Sequence, residues 1–273
     1  MTAVAIIVLT SASGSPGVTT TVMGLALTWP RPVLVVEADP TGGSGILAGF
    51  FKGQTPHTAG LIELAMAQRQ DLVAAELPHQ LVDIPGSQAK LLAGSRSHAQ
   101  ASSLIALWPA LWEALRDLES TGQDVLVDAG RLGLEGSPKP LLFGADVTLL
   151  LTRSTLPSLI AATSWAETLR DETASTATHV GLLVVGEGHP YPAREVAPAL
   201  RLPLVAKIAW DRRTAAVLSR SHGTYPQHGR LLASLAAAGE AIRSVIVDRA
   251  GGSSTPLARP ASSTPFASFG GVR

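Results

Sequence analysis

The chain contains no cysteine, so neither a disulfide nor a thiolate metal site is open to it. It also has no surplus of charge: 21 Lys and Arg residues face 21 Asp and Glu residues. No global basic field exists to hold DNA or anionic lipid, and only a local basic patch stays open as an alternative. Nucleic acid is therefore not an expected partner. Lysine is scarce and confined to Lys52, Lys90, Lys139 and Lys207. Seven histidines are scattered without the HxxxH or HxH spacing that builds a metal site. Ser11, Ser13 and Ser15 lack the GxSxG elbow of a hydrolase nucleophile. The glycines near them do not form GxGxxG, which argues against a dinucleotide fingerprint. No stretch is long and apolar enough to span a bilayer. The apolar run at 3–9 is short and follows no basic residue, so it reads as a buried strand rather than a signal peptide. The expected location is the cytoplasm.

What the chain does have is apolar residues, 46% of 273 positions, against 15% charged. That balance suits a parallel sheet covered by helices on both faces. Strand patterns fall at 3–9, 32–37, 124–128, 146–152, 179–185 and 204–208, with a weaker one at 81–84. Helical patterns fall at 19–28, 58–68, 102–120, 156–170, 193–200, 213–219 and 230–247. Such alternation predicts right-handed crossovers and an α/β, doubly wound, mainly parallel sheet. One domain is expected over 1–249. The segment 250–273 is rich in Gly, Ser, Thr and Pro and is expected to be a disordered tail, with Phe266 and Phe269 as small apolar points.

In a sheet of this kind ligands bind beyond the carboxyl ends of the strands. After the first strand comes a Gly/Ser-rich turn and then a helix starting near Thr19. Backbone N–H groups in such a turn and the helix N-terminus together attract an anion. Gly14 and Gly17 allow the tight path, and the hydroxyls of Thr19 and Thr20 stand in the first helical turn, within reach of a magnesium ion. On these residues alone, a phosphate site and an ordinary strand–helix turn are equal alternatives. The stretch Ser13-Gly14-Ser15-Pro16-Gly17-Val18-Thr19-Thr20 resembles the deviant Walker loop KGGxGKTT of the ParA/MinD ATPases, without a gap. The resemblance implies a P-loop NTPase fold, ATP and Mg2+ as cofactors, a protein partner and a homodimer formed around nucleotide. Ser13 stands where that family has the lysine that crosses the dimer. Val18 stands where it has the lysine that pairs with the β- and γ-phosphates. Loss of that point charge predicts slow or absent hydrolysis and weakened nucleotide affinity.

Later elements extend the resemblance to about residues 3–248. Glu37 and Asp39, before Pro40, resemble the family's D-x-D-P motif. This implies that Asp39 orients the attacking water and stands near the metal, where its bland alternative is a turn aspartate before proline. Asp128 ends an apolar strand and resembles the Walker B aspartate that binds Mg2+ through water. Gly130 falls where the family's glycine reads the γ-phosphate. Asp124, at the start of that strand, reads as a surface residue. Arg131 and Arg153 stand at carboxyl ends of strands. They either replace part of the missing lysine charge or pair with Glu37, Asp39 or Asp128. Gly186 takes the place of the family's base-side asparagine, and Ala209-Trp210-Asp211-Arg212 resembles its later base-side loop, which puts Asp211 at the nucleotide. The last helix, with Leu231, Leu232, Leu235, Ile242, Val245 and Ile246, reads as packing on the core rather than on a membrane, because its polar face carries few cations.

The functional expectation is a degenerate ParA/MinD-like protein that positions or regulates a partner in cell division, chromosome partitioning or a secretion or pilus apparatus. Two alternatives stand beside it: a working ATPase using Arg131 or Arg153, and a scaffold that binds no nucleotide.

Overall fold

Alternation within single strands explains how the sheet acquires two apolar faces. In β1 (Ile6–Ser11) the side chains of Ile6 and Val8 join one apolar layer, and those of Ile7 and Leu9 join the other. The same holds for β2 (Val33–Glu37) and β5 (Asp124–Arg131), whose residues are buried throughout except at Arg131. This is a computed structural model, and it describes residues 5–13, 15–220 and 229–250. The 250–273 tail, apart from the end of the last helix, lies outside the described residues, as does Gly14 of the loop.

Eight described strands form one sheet in the order β3-β4-β2-β5-β1-β6-β7-β8. The remaining strands are β3 (Leu81–Asp83), β4 (Ala89–Leu92), β6 (Val147–Arg153), β7 (His179–Val185) and β8 (Leu204–Ile208). All neighbours are parallel except β3 and β4, which are antiparallel. The expected doubly wound sheet is therefore present, with one addition: β4 gives no clear pattern in the sequence and inserts between β2 and the weak strand at the edge.

One apolar layer holds α1 (Val18–Thr28), α2 (Gly45–Ala48), α9 (Arg212–Arg220) and α10 (Arg230–Ala250) against the sheet. The other holds α3 (Leu61–Ala67), α4 (Val73–Glu76), α5 (Leu107–Asp117), α6 (Lys139–Gly144), α7 (Leu156–Thr173) and α8 (Ala193–Leu200). The helix expected over 102–120 is broken. A tight turn of helix covers His98–Leu104, α5 begins at Leu107, and a second tight turn covers Leu118–Thr121. Pro109 accounts for the restart, because proline fits the first helical turn and not the interior. In α10, Leu231, Leu232, Leu235, Ile242 and Ile246 are buried, in keeping with a core helix. No helix among the described residues is long and apolar enough to cross a membrane.

Asp124 corrects the sequence reading. Its side chain is fully buried, not at the surface. It accepts hydrogen bonds from the Ala5 amide at 3.0 Å and the Trp29 indole at 2.7 Å, and it forms an ion pair with Arg31. These partners lie far away in sequence, and together they seal the amino-terminal end of the sheet.

The connections of β1 and β6 set the position of the site. From β1 the chain runs through α1 to β2 on one side, and from β6 through α7 to β7 on the other. The two strands are adjacent, so their loops part and leave a crevice at the carboxyl ends.

Candidate functional site

The turn from β1 into α1 forms one wall of that crevice. Ser15 has a φ of 50° and Gly17 a φ of 97°, both left-handed. Gly17 is the residue that caps α1. No side chain caps the helix there, and its first turn carries no acidic residue. The amides at the start of α1 are thus left to the concave side of the turn. Val18 is buried in the apolar layer beneath α1 with Val22 and Met23 and does not line the crevice. The branched side chain in the lysine position is absorbed by the core.

On one side of the turn lie three carboxylates. Asp128 is fully buried at the end of β5. Its Oδ1 accepts from the Gly130 amide at 3.0 Å, the Thr19 hydroxyl also hydrogen-bonds to it, and its Oδ2 has no partner. Burial foremost, with the neighbouring Glu37 and Asp39 adding to it against the Thr19 hydrogen bond, pushes its pKa up from 3.8 to about 7. Glu37 is buried as well, and desolvation raises its pKa although it accepts from the Ile46 and Gly94 amides at 3.2 and 3.1 Å. Asp39 accepts from the Thr41 amide at 2.9 Å, the local turn geometry of an aspartate before proline. Gly130 has a φ of 59°, and a Cβ there would lie 2.2 Å from Asp39 Cγ, so the two are pressed together. Thr19, Asp39, Asp128 and Gly130 are therefore one cluster. Among the described residues no three carboxylate or imidazole side chains converge to hold a metal by themselves.

On the other side opens a cleft of about 660 Å³. Ser15, Pro16, Gly17 and Thr20 form one wall, and Trp210 and Asp211 stand in the other. Arg153 joins the two. Its guanidinium lies 4.5 Å over the Trp210 ring, and its Nη2 donates to the Ser15 carbonyl at 3.3 Å. Arg131 is exposed at the end of β5, where it pairs in register with Ser11. Neither arginine pairs with a carboxylate among the described residues, so the ion-pair alternative with Glu37, Asp39 or Asp128 is not what the structure shows. Asp211 serves α9 as an N-cap: Oδ1 accepts from the amides of Arg213 and Thr214, both at 3.1 Å, and Oδ2 from the Thr214 hydroxyl at 2.7 Å. The Thr214 hydroxyl foremost holds its pKa low.

No protein-family model matches the chain, and a search of the curated proteins gives no match. Solved structures do match. The septum site-determining protein MinD of Pyrococcus horikoshii, complexed with Mg-ADP, is 17% identical with a TM-score of 0.68, covering 90% of this chain and 98% of that one. A ParA family ATPase from Chlorobium tepidum is 15% identical with a TM-score of 0.69, covering 88% and 99%. The MinC:MinD cell division complex of Aquifex aeolicus gives 15% identity and a TM-score of 0.65, covering 93% and 98%. The fold is that of the MinD and ParA ATPases.

Within the MinD/ParA fold, the structure brings together most of the residues singled out from the sequence, but in two groups. Thr19, Asp39, Asp128 and Gly130 gather on the acidic side. Ser15, Pro16, Gly17, Thr20, Arg153 and Asp211 gather around the cleft. Ser13 is half-buried in the turn, Val18 is withdrawn into the core, and Arg131 stands apart at the rim. In the sequence Trp210 stands only as part of a loop. Its contact with Arg153 depends on β8 lying two strands from β6, which no local pattern reveals.

Proposed function

We propose that the chain is a MinD/ParA-like nucleotide-binding protein of the cytoplasm that positions or regulates a protein partner, with weak or no ATP hydrolysis. Cell division, chromosome partitioning and a secretion or pilus apparatus are the processes in view. Residues 1–249 would be its one domain and 250–273 a disordered tail. The observation that carries the reading is the uncapped start of α1 behind a left-handed Gly17, beside a buried Asp128 whose Oδ2 has no partner. The first supplies amides for phosphate oxygens. The second is a fully buried carboxyl oxygen with nothing in the fold to satisfy it.

These residues fit both cofactors. The backbone from Ser13 to Thr20, Gly14 included, would cradle the phosphates of ATP, with Gly130, Arg131, Arg153 and Asp211 around it. Thr19, Asp39 and Asp128 would face Mg2+, directly or through water. Bound Mg2+ would supply the positive charge that the loop lacks. The Thr19 hydroxyl and Asp128 would hold the ion at the helix start, and Asp39 would orient water. Without a lysine at position 18 the loop places no fixed cation on the transferring phosphate, which supports slow turnover. A structural neighbour carries Mg-ADP and another is bound to MinC. They support nucleotide and a protein partner for this chain, and a homodimer across the site face belongs to the same reading.

The decisive experiment is a thermal shift with ATP, ADP and GTP, each with Mg2+. A ligand at 100 times its Kd that binds only the folded state stabilises it by about 2.7 kcal/mol, so Tm should rise with ATP or ADP. No shift with any of the three defeats the reading and leaves a scaffold that binds no nucleotide. The second reading, an active ATPase, is favoured by one contact: the Arg153 guanidinium reaches the loop carbonyl of Ser15. Phosphate release that exceeds background and disappears in Asp39→Ala would establish it.

A further inference from the structure

We propose that Trp210 and Arg153 form the recognition surface for a nucleoside diphosphate, with the indole stacking on the base and the guanidinium binding the phosphate chain. The inference rests on the nucleotide reading above and assigns the charge and the base contact to particular side chains. Four observations carry it.

First, Trp210 is 45% exposed, and its exposed ring lines the cleft beside the phosphate turn. An aromatic face in a cleft of this size is a sequence-tolerant platform for a nucleobase. Second, its placement is specific. Gly186 lies against it, and a Cβ at Gly186 would come 3.3 Å from Trp210 Cβ. The amide of Gly186 also donates to the Ile208 carbonyl at 2.9 Å, fixing the ends of β7 and β8 to each other. The glycine and the tryptophan are thus a matched pair: the side chain missing at 186 leaves the room that the indole fills.

Third, Arg153 is held between the indole and the turn, and its Nε is buried with no hydrogen-bond partner. Its Nη2 side is exposed at the turn, and a planar guanidinium fixed there is suited to an arriving phosphate. Fourth, charge is divided across the site. Arg153, Arg212 and Arg220 line the cleft, while the carboxylate of Asp211, the one acidic residue among the described lining residues, is engaged in capping α9. The opposite side carries Glu37, Asp39 and Asp128. Positive charge therefore stands where the base and first phosphates would lie, and three crowded carboxyl groups where a third phosphate would extend. Without a divalent cation to offset the carboxylates, a diphosphate is favoured over a triphosphate.

The test is titration calorimetry of the full chain with ADP and ATP, in EDTA and again in excess Mg2+. In EDTA, ADP should bind several-fold more tightly than ATP, and Mg2+ should narrow that gap. Trp210→Ala and Arg153→Ala should each weaken ADP about tenfold or more, as expected for a lost base stack or a lost charged contact. Trp210→Phe and Arg153→Lys should retain part of the affinity, and circular dichroism melts should show all four variants folded. ADP should quench tryptophan fluorescence in the wild type and much less in Trp210→Phe. If the wild type binds ADP while Trp210→Ala and Arg153→Ala bind it with unchanged Kd, this assignment is wrong and the nucleotide reading stands. ATP binding more tightly than ADP in EDTA overturns the diphosphate preference. If the wild type binds neither nucleotide with or without Mg2+, the nucleotide reading itself is lost.

Discussion

Asp124 and Asp128 lie four residues apart on the same strand, both fully buried, and the protein treats them in opposite ways. Asp124 meets the Arg31 guanidinium, the Trp29 indole and the Ala5 amide. Asp128 meets one amide, one hydroxyl and two further carboxylates, and one of its oxygens has no partner. A carboxylate that only had to be buried would be satisfied as Asp124 is. The amino-terminal end of the sheet is closed by a paired charge, whereas the carboxyl-terminal end carries a carboxyl group whose ionisation destabilises the fold alone. That contrast, more than any motif, separates the two ends of the strand.

The comparison can be broken most directly at Asp124. Asp124→Ala removes the ion pair with Arg31 and takes the acceptor from the Ala5 amide and the Trp29 indole, and it should cost about 4 kcal/mol in urea unfolding. An effect below about 1 kcal/mol would mean that the pairing at this end adds little. Asp128→Asn should act in the other direction. The folded protein holds a proton on Asp128 up to about pH 7, whereas the unfolded chain loses it near 3.8. Stability from this group therefore falls as pH rises through that window. The amide removes the penalty, so the variant should gain on the order of 2 kcal/mol at pH 8 and nothing at pH 3. Loss of stability at pH 8 would show that Asp128 is better satisfied than its surroundings indicate.

Gly130→Ala is expected to cost about 1 kcal/mol through its left-handed backbone alone. Its Cβ must also displace the Asp39 carboxylate. A nucleotide-dependent Tm shift should therefore shrink in this variant, which sharpens the assignment of Asp39 to the Asp128 cluster. The smallest effect belongs to an exposed pair, Lys90 with Asp83 on the edge strands. Asp83→Asn should change stability by less than about 0.5 kcal/mol. A larger value would mean that exposure does not separate these carboxylates as argued.

The sheet was legible because buried parallel strands leave continuous apolar runs, and β7, β8 and α8 fall where the sequence places them. The strand β4, next to the edge, was not, because four residues containing Lys90 make too short a run to stand out. At the site, the turn and the acids at Asp39 and Asp128 were legible from their order after successive strands. Asp124 was misread because a charged residue opening a strand looks solvated, and its partners lie 93 to 119 residues away. The pairing of Trp210 with Arg153 had no sequence signal for the same reason. The burial of Val18 follows from helix geometry, which sets residues 18 and 22 one above the other on the face that packs on the sheet.

Behind the turn, α10 crosses α1 at Gly24, where a Cβ would lie 2.3 Å from the Leu235 side chain. The helix that opens at the crevice is thus wedged between the sheet and a late segment of the chain, at the one point where it is thin enough to admit it. A binding partner that tugged on α10 would be pulling on the rear of the same rod whose tip opens at the crevice.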